Sequence, residues 1–392
     1  MTTLFQKVDI NGLTLRNRTV RSATVTGLAE EDGRCSDKLI ELLEKLAIGE
    51  VGLIITGLAY VLPNGQAIPK QLGIHDEAKL HDLLRLTDRI HAIGGKIAMQ
   101  IGHCGPQTPL QIKPVWGASK VTNTAFECTP QAMTQEDINE CVQAFAQAAD
   151  RVKRAGFDAV QIQAAHGWLI SSFLSPNKNK RTDKYGGSIQ NRSRFLSEIY
   201  TAIRNSVGED FPVLMKLNCK DFVDDGFEER DALFVAEHFE KTGLDAIEIS
   251  GGTPEAGSLS SARLNIKAVE DEAYFEPYAR MIKAKLSIPI ILVAGIKSLE
   301  KINQILDNNS ADLVSFCRPF IRESNLINRW KEGDETKARC ISCNNCYATI
   351  VSPDGLHCSV ELKKEKGAET TEDNKNEQNF VSVIRKGIEK HS

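Results

Sequence analysis

Residues 155–195 read AGFDAVQIQAAHGWLISSFLSPNKNKRTDKYGGSIQNRSRF and carry the clearest local pattern in this chain of 392 residues. Gly156 stands where a helix would stop, and the apolar run 159–162 follows soon after it. Gln163 and His166 come just after that run. In a parallel α/β protein, side chains beyond the carboxyl end of a strand project into the ligand crevice. The order of helix, strand and polar loop therefore predicts that Gln163 and His166 lie in a binding site.

Apolar, β-branched runs of strand length occur eight times along the chain, and most have an amphipathic stretch of helical length beside them. Continuous apolar runs that alternate with helices indicate strands buried on both faces, and therefore a parallel sheet. Eight such units predict an α/β fold of the (β/α)8 TIM-barrel type. The eight runs cover residues 19–22, 51–56, 96–101, 159–163, 213–217, 246–250, 290–294 and 313–316.

Both ends of the chain differ from this repeating pattern. Residues 1–17 predict a short hairpin, turning at an Asn-Gly pair, that closes the amino-terminal end of the barrel. We expect residues 1–335 to form the barrel and residues 336–361 to form a short cysteine-bearing extension packed on it. Residues 362–392 include the run KKEKGAETTEDNKNEQN, which has no large apolar residue, so we expect a disordered charged tail there.

Composition and charge argue against several classes of partner. A formal net charge of −4 gives no electrostatic basis for binding nucleic acid or an anionic membrane. No apolar run reaches the roughly 18 to 20 residues that span a bilayer, and the amino terminus lacks the pattern of a secretory signal. Six of the ten cysteines are scattered singly, which fits a reducing compartment. We therefore expect a soluble, cytoplasmic protein.

The run AAHGWLISSFLSPNKNKRTDKYGGSIQNRSRF closely resembles the Old Yellow Enzyme family of FMN-dependent ene-reductases and its NADH:flavin oxidoreductase relatives. The pieces LSP, RTD, YGGS and NR occur in that order, and the resemblance covers roughly residues 4–360, the grouped cysteines included. It implies an FMN-binding barrel that takes hydride from NADH or NADPH. The hydride acceptor would be a small molecule, an α,β-unsaturated carbonyl compound (an enone) or a similar electron-poor compound. We also expect a homo-oligomer.

Two strand ends indicate how the phosphate of FMN would be held. Gly295 follows the seventh run and precedes a helix starting near Ser298, so backbone N–H groups can meet a phosphate there, although such a glycine alone is more often a turn. Arg318 follows the eighth run and can bind phosphate oxygens through two N–H groups. Loops after strands seven and eight form the usual phosphate site of such barrels. We therefore assign Gly295 and Arg318, with the neighbouring Ala294 and Cys317, to the cofactor.

Lys216 lies inside the otherwise apolar run VLMKL, and a buried cation needs a partner. The spacing leaves open a structural ion pair with a carboxylate of the barrel, or a cation beside a cofactor. The resemblance implies the second, with Lys216 near the N1–C2=O edge of the flavin. It also implies that Gln100 bonds to the flavin pyrimidine, although an ordinary buried amide is the alternative. It assigns five small residues to the flavin ring or the ribityl phosphate: Ala23, Thr24, Gly57, Gly251 and Gly252.

In the resembling family, two hydrogen-bond donors spaced three residues apart follow strand four and polarise the carbonyl group of the substrate. Gln163 and His166 occupy these positions, where the family has His with His or His with Asn. Fixed donors stabilise the charge that develops on the carbonyl oxygen as hydride reaches the β-carbon. A glutamine amide can donate as well, so the resemblance makes Gln163 and His166 the catalytic pair.

Trp168 stands where the family usually carries a tyrosine that protonates the α-carbon. Indole is not an acid near neutral pH, so another group or water must supply that proton. Tyr60, His103 and Cys104 lie at nearby strand ends and are the candidates, although each also suits the wall of a pocket. We assign Trp168 and Tyr60 to the substrate pocket.

Cys340, Cys343, Cys346 and Cys358 form the pattern C-x2-C-x2-C-x11-C. Four thiols at such spacings can hold an iron–sulfur cluster or a zinc ion, and free thiols are the remaining alternative. The segment resembles the one after the barrel in the dienoyl-CoA-reductase branch, where a [4Fe-4S] cluster passes electrons from a second domain to FMN. Here the spacing is one residue shorter between the second and third cysteines, and no G-x-G-x-x-G follows. A cluster would therefore draw electrons from an external donor protein or from FMN reduced by NAD(P)H.

Two other functions stay open from the sequence. The first is a dienoyl-CoA-reductase-like or demethylating flavoenzyme that receives electrons through an iron–sulfur cluster. The second is a flavin-free barrel that acts as a binding protein.

Overall fold

The computed structural model describes residues 3–108 and 112–365 and contains a closed parallel barrel. In chain order the strands are β1 (Val8–Ile10), β2 (Leu13–Leu15), β3 (Thr19–Arg21), β4 (Leu53–Ile55), β5 (Ala59–Tyr60), β6 (Ile97–Gly102), β7 (Trp116–Gly117), β8 (Gln131–Ala132), β9 (Ala159–Ala164), β10 (Val213–Asn218), β11 (Ala246–Ser250), β12 (Ile290–Val293) and β13 (Leu313–Phe316). The barrel consists of β3, β4, β6, β9, β10, β11, β12 and β13, and pairing of β4 with β6 closes it. Each barrel strand overlaps one of the eight apolar runs, which confirms the predicted (β/α)8 fold.

Helices surround the barrel and connect its strands. In chain order they are α1 (Asp37–Ile48), α2 (Leu80–Ala92), α3 (Gln135–Arg154), α4 (Leu169–Leu174), α5 (Ile189–Arg192), α6 (Arg194–Val207), α7 (Glu229–Lys241), α8 (Glu276–Lys283), α9 (Leu299–Asp307), α10 (Arg318–Arg322), α11 (Leu326–Lys331), α12 (Cys346–Thr349) and α13 (Ser359–Glu365). Short 3-10 turns occur at Pro63–Gly65, Glu77–Lys79, Pro254–Leu259 and Val269–Asp271. Among the described residues, no helix is both long enough and apolar enough to cross a membrane.

Helix α3 illustrates how local sequence sets these boundaries. The Thr134 hydroxyl accepts from the backbone N–H of Asp137 at 3.1 Å, and the Asp137 carboxylate accepts from the N–H of Thr134 at 2.8 Å. This reciprocal capping box satisfies two donors that the helix itself leaves unpaired. After the helix, Gly156 adopts a φ of 77°, a conformation that favours glycine and turns the chain towards β9.

The hairpin of β1 and β2 closes the amino-terminal end of the barrel, as the sequence predicts. It turns at Asn11 and Gly12, which have φ angles of 48° and 78°. Its side chains Ile10, Leu13 and Leu15 are buried in one cluster with residues from the barrel strands. Apolar contact with the strands therefore holds the hairpin in place.

The segment after β13 packs on the loop that follows β3. The backbone N–H of Leu356 donates to the carbonyl oxygen of Thr26 at 2.8 Å. A side chain at Gly27 would overlap the carbonyl oxygen of Ile350, so the two backbones are in close contact. A small apolar cluster joins the segment to the barrel and contains Ala67, Ile68, Cys104, Cys346, Ile350 and Leu356.

Most of the tail that we expect to be disordered lies outside the described residues. Helix α13 continues to Glu365, beyond residue 361, where we place the end of the extension. Residues 366–392, which make up the rest of that tail, are not among the residues that the structure describes.

Replacing Leu15 by alanine tests the contribution of the hairpin to stability. Leu15 is fully buried among the barrel strands, and truncation of such a leucine leaves a cavity that costs about 2–5 kcal/mol. We expect the free energy of unfolding in urea to fall by that amount. Thr14, the exposed neighbour, is the matched control, and Thr14→Ala should change the value by less than about 0.5 kcal/mol. Equal losses in the two variants would contradict this role of the hairpin.

Candidate active site

A buried ion pair lies inside the barrel. Lys216 Nζ is 3.0 Å from Glu248 Oε1 and donates to Ser22 Oγ at 2.7 Å. The hydroxyls of Ser22 and Ser315 each donate to the same carboxylate oxygen at 2.8 Å. Burial raises the pKa of Glu248, but the charge of Lys216 and hydrogen bonds from its neighbours outweigh burial and hold that pKa below its usual value. The structural ion pair, one of the two interpretations of Lys216, is therefore present.

A chain of three amides extends from this carboxylate towards the end of β9. Gln161 donates to Glu248 Oε2 at 2.9 Å, and Gln100 donates to Gln161 Oε1 at 2.7 Å. Gln163 donates to Gln100 Oε1 at 3.4 Å and accepts from the backbone N–H of Ala165 at 3.0 Å. Because an ionised carboxylate can only accept hydrogen bonds, Glu248 sets the orientation of Gln161 and, through it, of the next two amides. One N–H of Gln163 has no part in this chain.

His166 lies just beyond β9 in the left-handed backbone region, with a φ of 63°. Its backbone N–H donates to Asn218 Oδ1 at 3.0 Å, and its ring Nε2 is 2.7 Å from Ser250 Oγ. Burial, with a smaller effect from the charge of Lys216, lowers the pKa of His166 to about 3. The imidazole is therefore neutral near pH 7 and carries one N–H donor.

The three candidate proton donors are bonded to acceptors in the wall of the barrel mouth. The hydroxyl of Tyr60 donates to a backbone carbonyl at 3.4 Å, and burial raises its pKa to about 12. Burial lowers the pKa of His103 to about 3, and its Nε2 is 3.2 Å from Asn64 Oδ1. Burial also raises the pKa of the Cys104 thiol, which donates to the carbonyl oxygen of Asn64 at 3.6 Å. These contacts match the alternative that each residue belongs to a pocket wall.

Trp168, the residue at the position of the family tyrosine, packs against the apolar cluster that joins the extension to the barrel. Its side chain is partly buried there, next to the loop that carries Val25. The assignments of Trp168 and Tyr60 to a substrate pocket stay predictions.

The glycines assigned to the cofactor lie under the loop that follows β11. A side chain at Gly252 would overlap Ser260 of that loop, and a Cβ atom at Gly295 would lie 2.8 Å from the ring of Tyr274. A Cβ atom at Gly251 would lie 2.9 Å from Cys219 Sγ. The missing side chains therefore allow close approach of this loop, and Ala294 adds a hydrogen bond from the N–H of Ala273 at 2.7 Å.

The small residues after β3 and β4 meet the end of β13. Thr24 Oγ1 is 3.1 Å from Cys317 Sγ and donates to the carbonyl oxygen of Ser22 at 2.9 Å. A Cβ atom at Gly57 would lie 2.6 Å from the carbonyl oxygen of Thr24. Ala23 packs against the cluster inside the barrel. The structure thus brings together the residues after β3, β4 and β13 that the sequence analysis assigns to the cofactor.

Two buried arginines at these strand ends have no carboxylate partner among the described residues. Arg21 is 2% exposed, and its Nη1 donates to the carbonyl oxygens of Ser22 and Ile55, both at 3.0 Å. Arg318 is 6% exposed, and its Nη1 donates to Asn344 Oδ1 at 2.6 Å and to a backbone carbonyl at 2.8 Å. Burial lowers the pKa of Arg21 to about 10. Glu248 lies close enough to attract the charge of Arg21, whereas no described carboxylate acts on Arg318 in this way. Because buried cations need compensating charge, the end of β13 suits an anionic group such as the phosphate of FMN.

Our sequence prediction assigned no role to Arg21, Glu248 or Ser250. A signal was present for the first two, because a charged residue interrupts the apolar runs TVRS and AIEIS just as Lys216 interrupts VLMKL. Ser250 gave no signal, since a serine at a strand end is common in loops and turns.

The four grouped cysteines line one pocket together with residues of α10. Arg318 and Arg322 contribute to the same wall. Within residues 3–108 and 112–365, no three His, Cys, Asp or Glu side chains converge closely enough to hold a metal ion. The cysteines predicted to act together are therefore neighbours, although they do not meet at one point.

Comparison with known proteins identifies the family. Residues 3–337 match the NADH:flavin oxidoreductase / NADH oxidase family. The chain belongs to this family. It is 35% identical to an NADH oxidase of Thermoanaerobacter brockii, over 87% of this chain and 52% of that one. It is also 35% identical to an NADPH dehydrogenase of Halalkalibacterium halodurans, over 81% of this chain and 91% of that one.

Solved structures agree with the family. A 2-naphthoyl-CoA reductase in complex with 2-naphthoyl-CoA aligns with a TM-score of 0.85 and 28% identity, over 92% of this chain and 57% of that one. Morphinone reductase in complex with tetrahydroNAD aligns with a TM-score of 0.73 and 25% identity, over 85% of this chain and 91% of that one. The chain thus spans about half the length of some relatives and nearly all of others. The resemblance to the Old Yellow Enzyme family is confirmed.

The neutral state of buried His103 predicts how stability depends on pH. Its pKa is about 3 in the folded protein and about 6.5 when unfolded, so below pH 6.5 the unfolded state binds a proton that the folded state does not. The stability that neutral His103 contributes to the folded state is complete above about pH 6.5. It is lost as the pH falls below that value, by about 1.4 kcal/mol per pH unit. We expect His103→Gln to lose less stability than the wild type between pH 7 and pH 5, by about 2 kcal/mol in urea unfolding. His81→Gln, at an exposed site, is the control and should follow the wild type.

Proposed function

We propose that this flavin oxidoreductase transfers hydride from NADH or NADPH to an α,β-unsaturated carbonyl compound or a similar electron-poor acceptor. The observation that carries this proposal is the ordered chain from the Lys216–Glu248 pair to Gln163 at the end of β9, with neutral His166 directly after it. Bound FMN would accept hydride from the nicotinamide and supply it to the acceptor.

The residues present fit the cofactor. Arg318 is a buried cation without a carboxylate partner among the described residues, and an anionic flavin phosphate would compensate its charge. We propose that Lys216 and Gln100 face the pyrimidine edge of the ring. The remaining contacts would come from Ala23, Thr24, Gly57, Gly251, Gly252, Ala294, Gly295, Cys317 and Arg318.

We propose that Gln163 and His166 hold the carbonyl oxygen of the acceptor. The amide of Gln163 is oriented by Gln100 and Ala165, which leaves one N–H to donate. If the Ser250 hydroxyl donates to Nε2 of His166, the ring proton resides on Nδ1 and is available to the substrate. Two preorganised donors stabilise the charge that develops on the oxygen during hydride transfer.

Water is our proposed source of the proton for the α-carbon. Trp168 cannot supply it, because indole is only a hydrogen-bond donor near neutral pH. The hydroxyl, imidazole and thiol of Tyr60, His103 and Cys104 are each bonded to an acceptor in the wall. Proton delivery by solvent also fits the absence of a tyrosine at position 168.

Replacing His166 by alanine tests this function in two half-reactions. We expect flavin reduction by NADPH, followed by stopped-flow absorbance, to stay within about twofold of the wild type. Reoxidation by 2-cyclohexenone should slow by about 10²-fold, because one of the two donors to the carbonyl oxygen is lost. An unchanged rate of reoxidation would remove His166 from this role.

We propose that the cysteine pocket holds a [4Fe-4S] cluster. The four thiols line one common pocket without meeting at one point, whereas a zinc ion needs four ligands that meet at one point. The cluster would connect the flavin with an external electron donor. The similar fold of 2-naphthoyl-CoA reductase makes unsaturated acyl-CoA thioesters a second candidate class of acceptor.

Iron analysis of cysteine variants separates the cluster from the flavin. We expect about four irons and four acid-labile sulfides per chain in protein purified without oxygen. Cys343→Ser should lose most of the iron, because it removes one of four ligands, while the flavin content stays unchanged. Cys128→Ser is the control, since Cys128 lies outside this pocket, and it should keep its iron. Wild-type protein with one zinc or no metal would contradict the proposal.

We also propose the division into a barrel of residues 1–335 and a packed extension of residues 336–361. The hydrogen bond between Leu356 and Thr26 and the shared apolar cluster support packing of the extension on the barrel. The disordered tail, the homo-oligomer, the external electron donor and the cytoplasmic location stay predictions.

A further inference from the structure

The backbone of His166 is held in an unfavourable conformation by hydrogen bonds on both sides. Its φ of 63° lies in the left-handed region, which residues with a side chain adopt less readily than glycine. The N–H of His166 donates to Asn218 Oδ1 at 3.0 Å, and its carbonyl oxygen accepts from Gln107 Nε2 at 2.6 Å. Because such a conformation persists only where the surroundings fix it, these two side chains hold the imidazole at the end of β9.

The amide of Asn218 can bind His166 in only one of its two orientations. A backbone N–H is always a donor, so the atom of Asn218 that faces it must be the oxygen. The amide nitrogen then points the other way and donates to Asp221 Oδ1 at 2.8 Å. In the reversed orientation, an NH2 group would face the N–H of His166 and an oxygen would face the carboxylate. Asp221 therefore determines which end of the amide faces His166.

Asp221 is itself fixed by backbone hydrogen bonds. The N–H of Phe227 donates to Asp221 Oδ2 at 3.0 Å, and the N–H of Asp221 donates to the carbonyl oxygen of Phe227 at 2.8 Å. The carbonyl oxygen of Asp221 accepts from the N–H of Thr253 at 3.3 Å, and the residue is 1% exposed. One carboxylate oxygen thus closes the loop of residues 221–227, and the other is directed at Asn218.

Aromatic contacts hold the loop that carries Asp221 against the loop that follows β11. The ring centres of Phe222 and Phe275 are 6.0 Å apart, with 22° between the ring planes. Cζ of Arg263 lies 4.4 Å from the centre of the Tyr274 ring and 5.4 Å from the centres of the other two rings. A guanidinium at this distance is attracted by the negative face of an aromatic ring. Asp221 is therefore anchored by contacts that do not involve His166.

The residue that contacts the imidazole ring belongs to the same part of the sheet. Ser250 Oγ is 2.7 Å from Nε2 of His166, and Ser250 is the partner of Asn218 in the pairing of β11 with β10. Two neighbouring residues thus hold His166, one at its backbone N–H and the other at its ring. A backbone released by Asn218 would also move the ring away from Ser250.

We propose that Asp221 is a positioning residue that acts through Asn218 to keep His166 in its working conformation. In the proposed function, on which this inference rests, the imidazole of His166 donates to the carbonyl oxygen of the hydride acceptor. A donor stabilises developing charge only when it is already aimed at the oxygen. Asp221 touches neither the acceptor nor the flavin, so its effect on the reaction passes through His166.

Asp221→Asn tests the proposal, because it keeps the shape of the side chain and replaces one acceptor oxygen by an NH2 donor. The N–H groups of Asn218 and Phe227 then have one oxygen between them. The backbone N–H of Phe227 cannot turn away, whereas the amide of Asn218 can turn, and it then loses His166. Asp224→Asn, an exposed position in the same loop, is the matched control.

The first measurement does not depend on activity. Hydrogen exchange of backbone amides is followed by NMR on protein labelled with 15N-histidine, which gives signals from eight histidines. The signal of His166 is identified by its loss in His166→Ala. We expect Asp221→Asn to accelerate exchange at His166 by about 10-fold or more, because its hydrogen bond to Asn218 is lost. Asp224→Asn should leave it unchanged.

The second measurement is a double-mutant cycle in the two half-reactions. We expect Asp221→Asn to slow flavin reoxidation by saturating 2-cyclohexenone by about 10-fold and to leave flavin reduction by NADPH within about twofold of the wild type. In protein that already carries His166→Ala, the same change should alter reoxidation by less than about twofold, because the residue on which Asp221 acts is gone.

Three results overturn the proposal. Equal slowing with and without His166 would mean that Asp221 only stabilises its loop. Unchanged exchange at His166 would mean that it does not hold this backbone, and faster exchange with unchanged reoxidation would mean that the reaction does not need this conformation. If Asp221→Asn does not fold, Asn218→Ala decides by the same measurements, because it removes the same hydrogen bond and leaves the contact of Asp221 with Phe227. Reoxidation that is unchanged in His166→Ala would refute the proposed role of His166, which is a separate outcome.

Discussion

The ion pair between Lys216 and Glu248 is the interaction on which the site depends. Glu248 collects donors from four strands or strand ends, through Lys216, Ser22, Ser315 and Gln161. Removing one partner of a buried pair typically costs about 3–5 kcal/mol, because the other charge stays buried without compensation. The pair therefore ties opposite sides of the barrel together at the level where the polar side chains begin.

The same pair determines which hydrogen bonds reach the substrate side. The carboxylate forces Gln161 to present its N–H groups inwards, and the next amides follow in order up to Gln163. The charge of Lys216 also opposes protonation of His166. Lys216 can therefore form a structural ion pair and also lie beside the flavin. The same positive charge that stabilises the barrel contributes to the electrostatic potential at the carboxyl ends of the strands.

The sequence predicted the barrel well because burial on both faces leaves a continuous apolar run in each strand. It also predicted the hairpin, because an Asn-Gly turn is a local signal. The contacts of Arg263 could not be predicted, since Phe222 and the pair Tyr274 and Phe275 come from different loops and meet only in the folded chain. For the cysteines, spacing identified the group, but the pocket that they share depends on how the extension packs on the barrel.

The close contact between Gly27 and the carbonyl oxygen of Ile350 has a consequence for protein engineering. Cutting the chain at residue 336 to obtain a barrel with one cofactor would remove the partner of the Thr26 carbonyl and uncover Ala67 and Ile68. The loop after β3 would then keep Gly27, although the carbonyl oxygen of Ile350 that leaves no room for a side chain there would be absent. A shortened version of this enzyme therefore needs a redesigned loop and a new polar surface, because the two segments are complementary and cannot be exchanged independently.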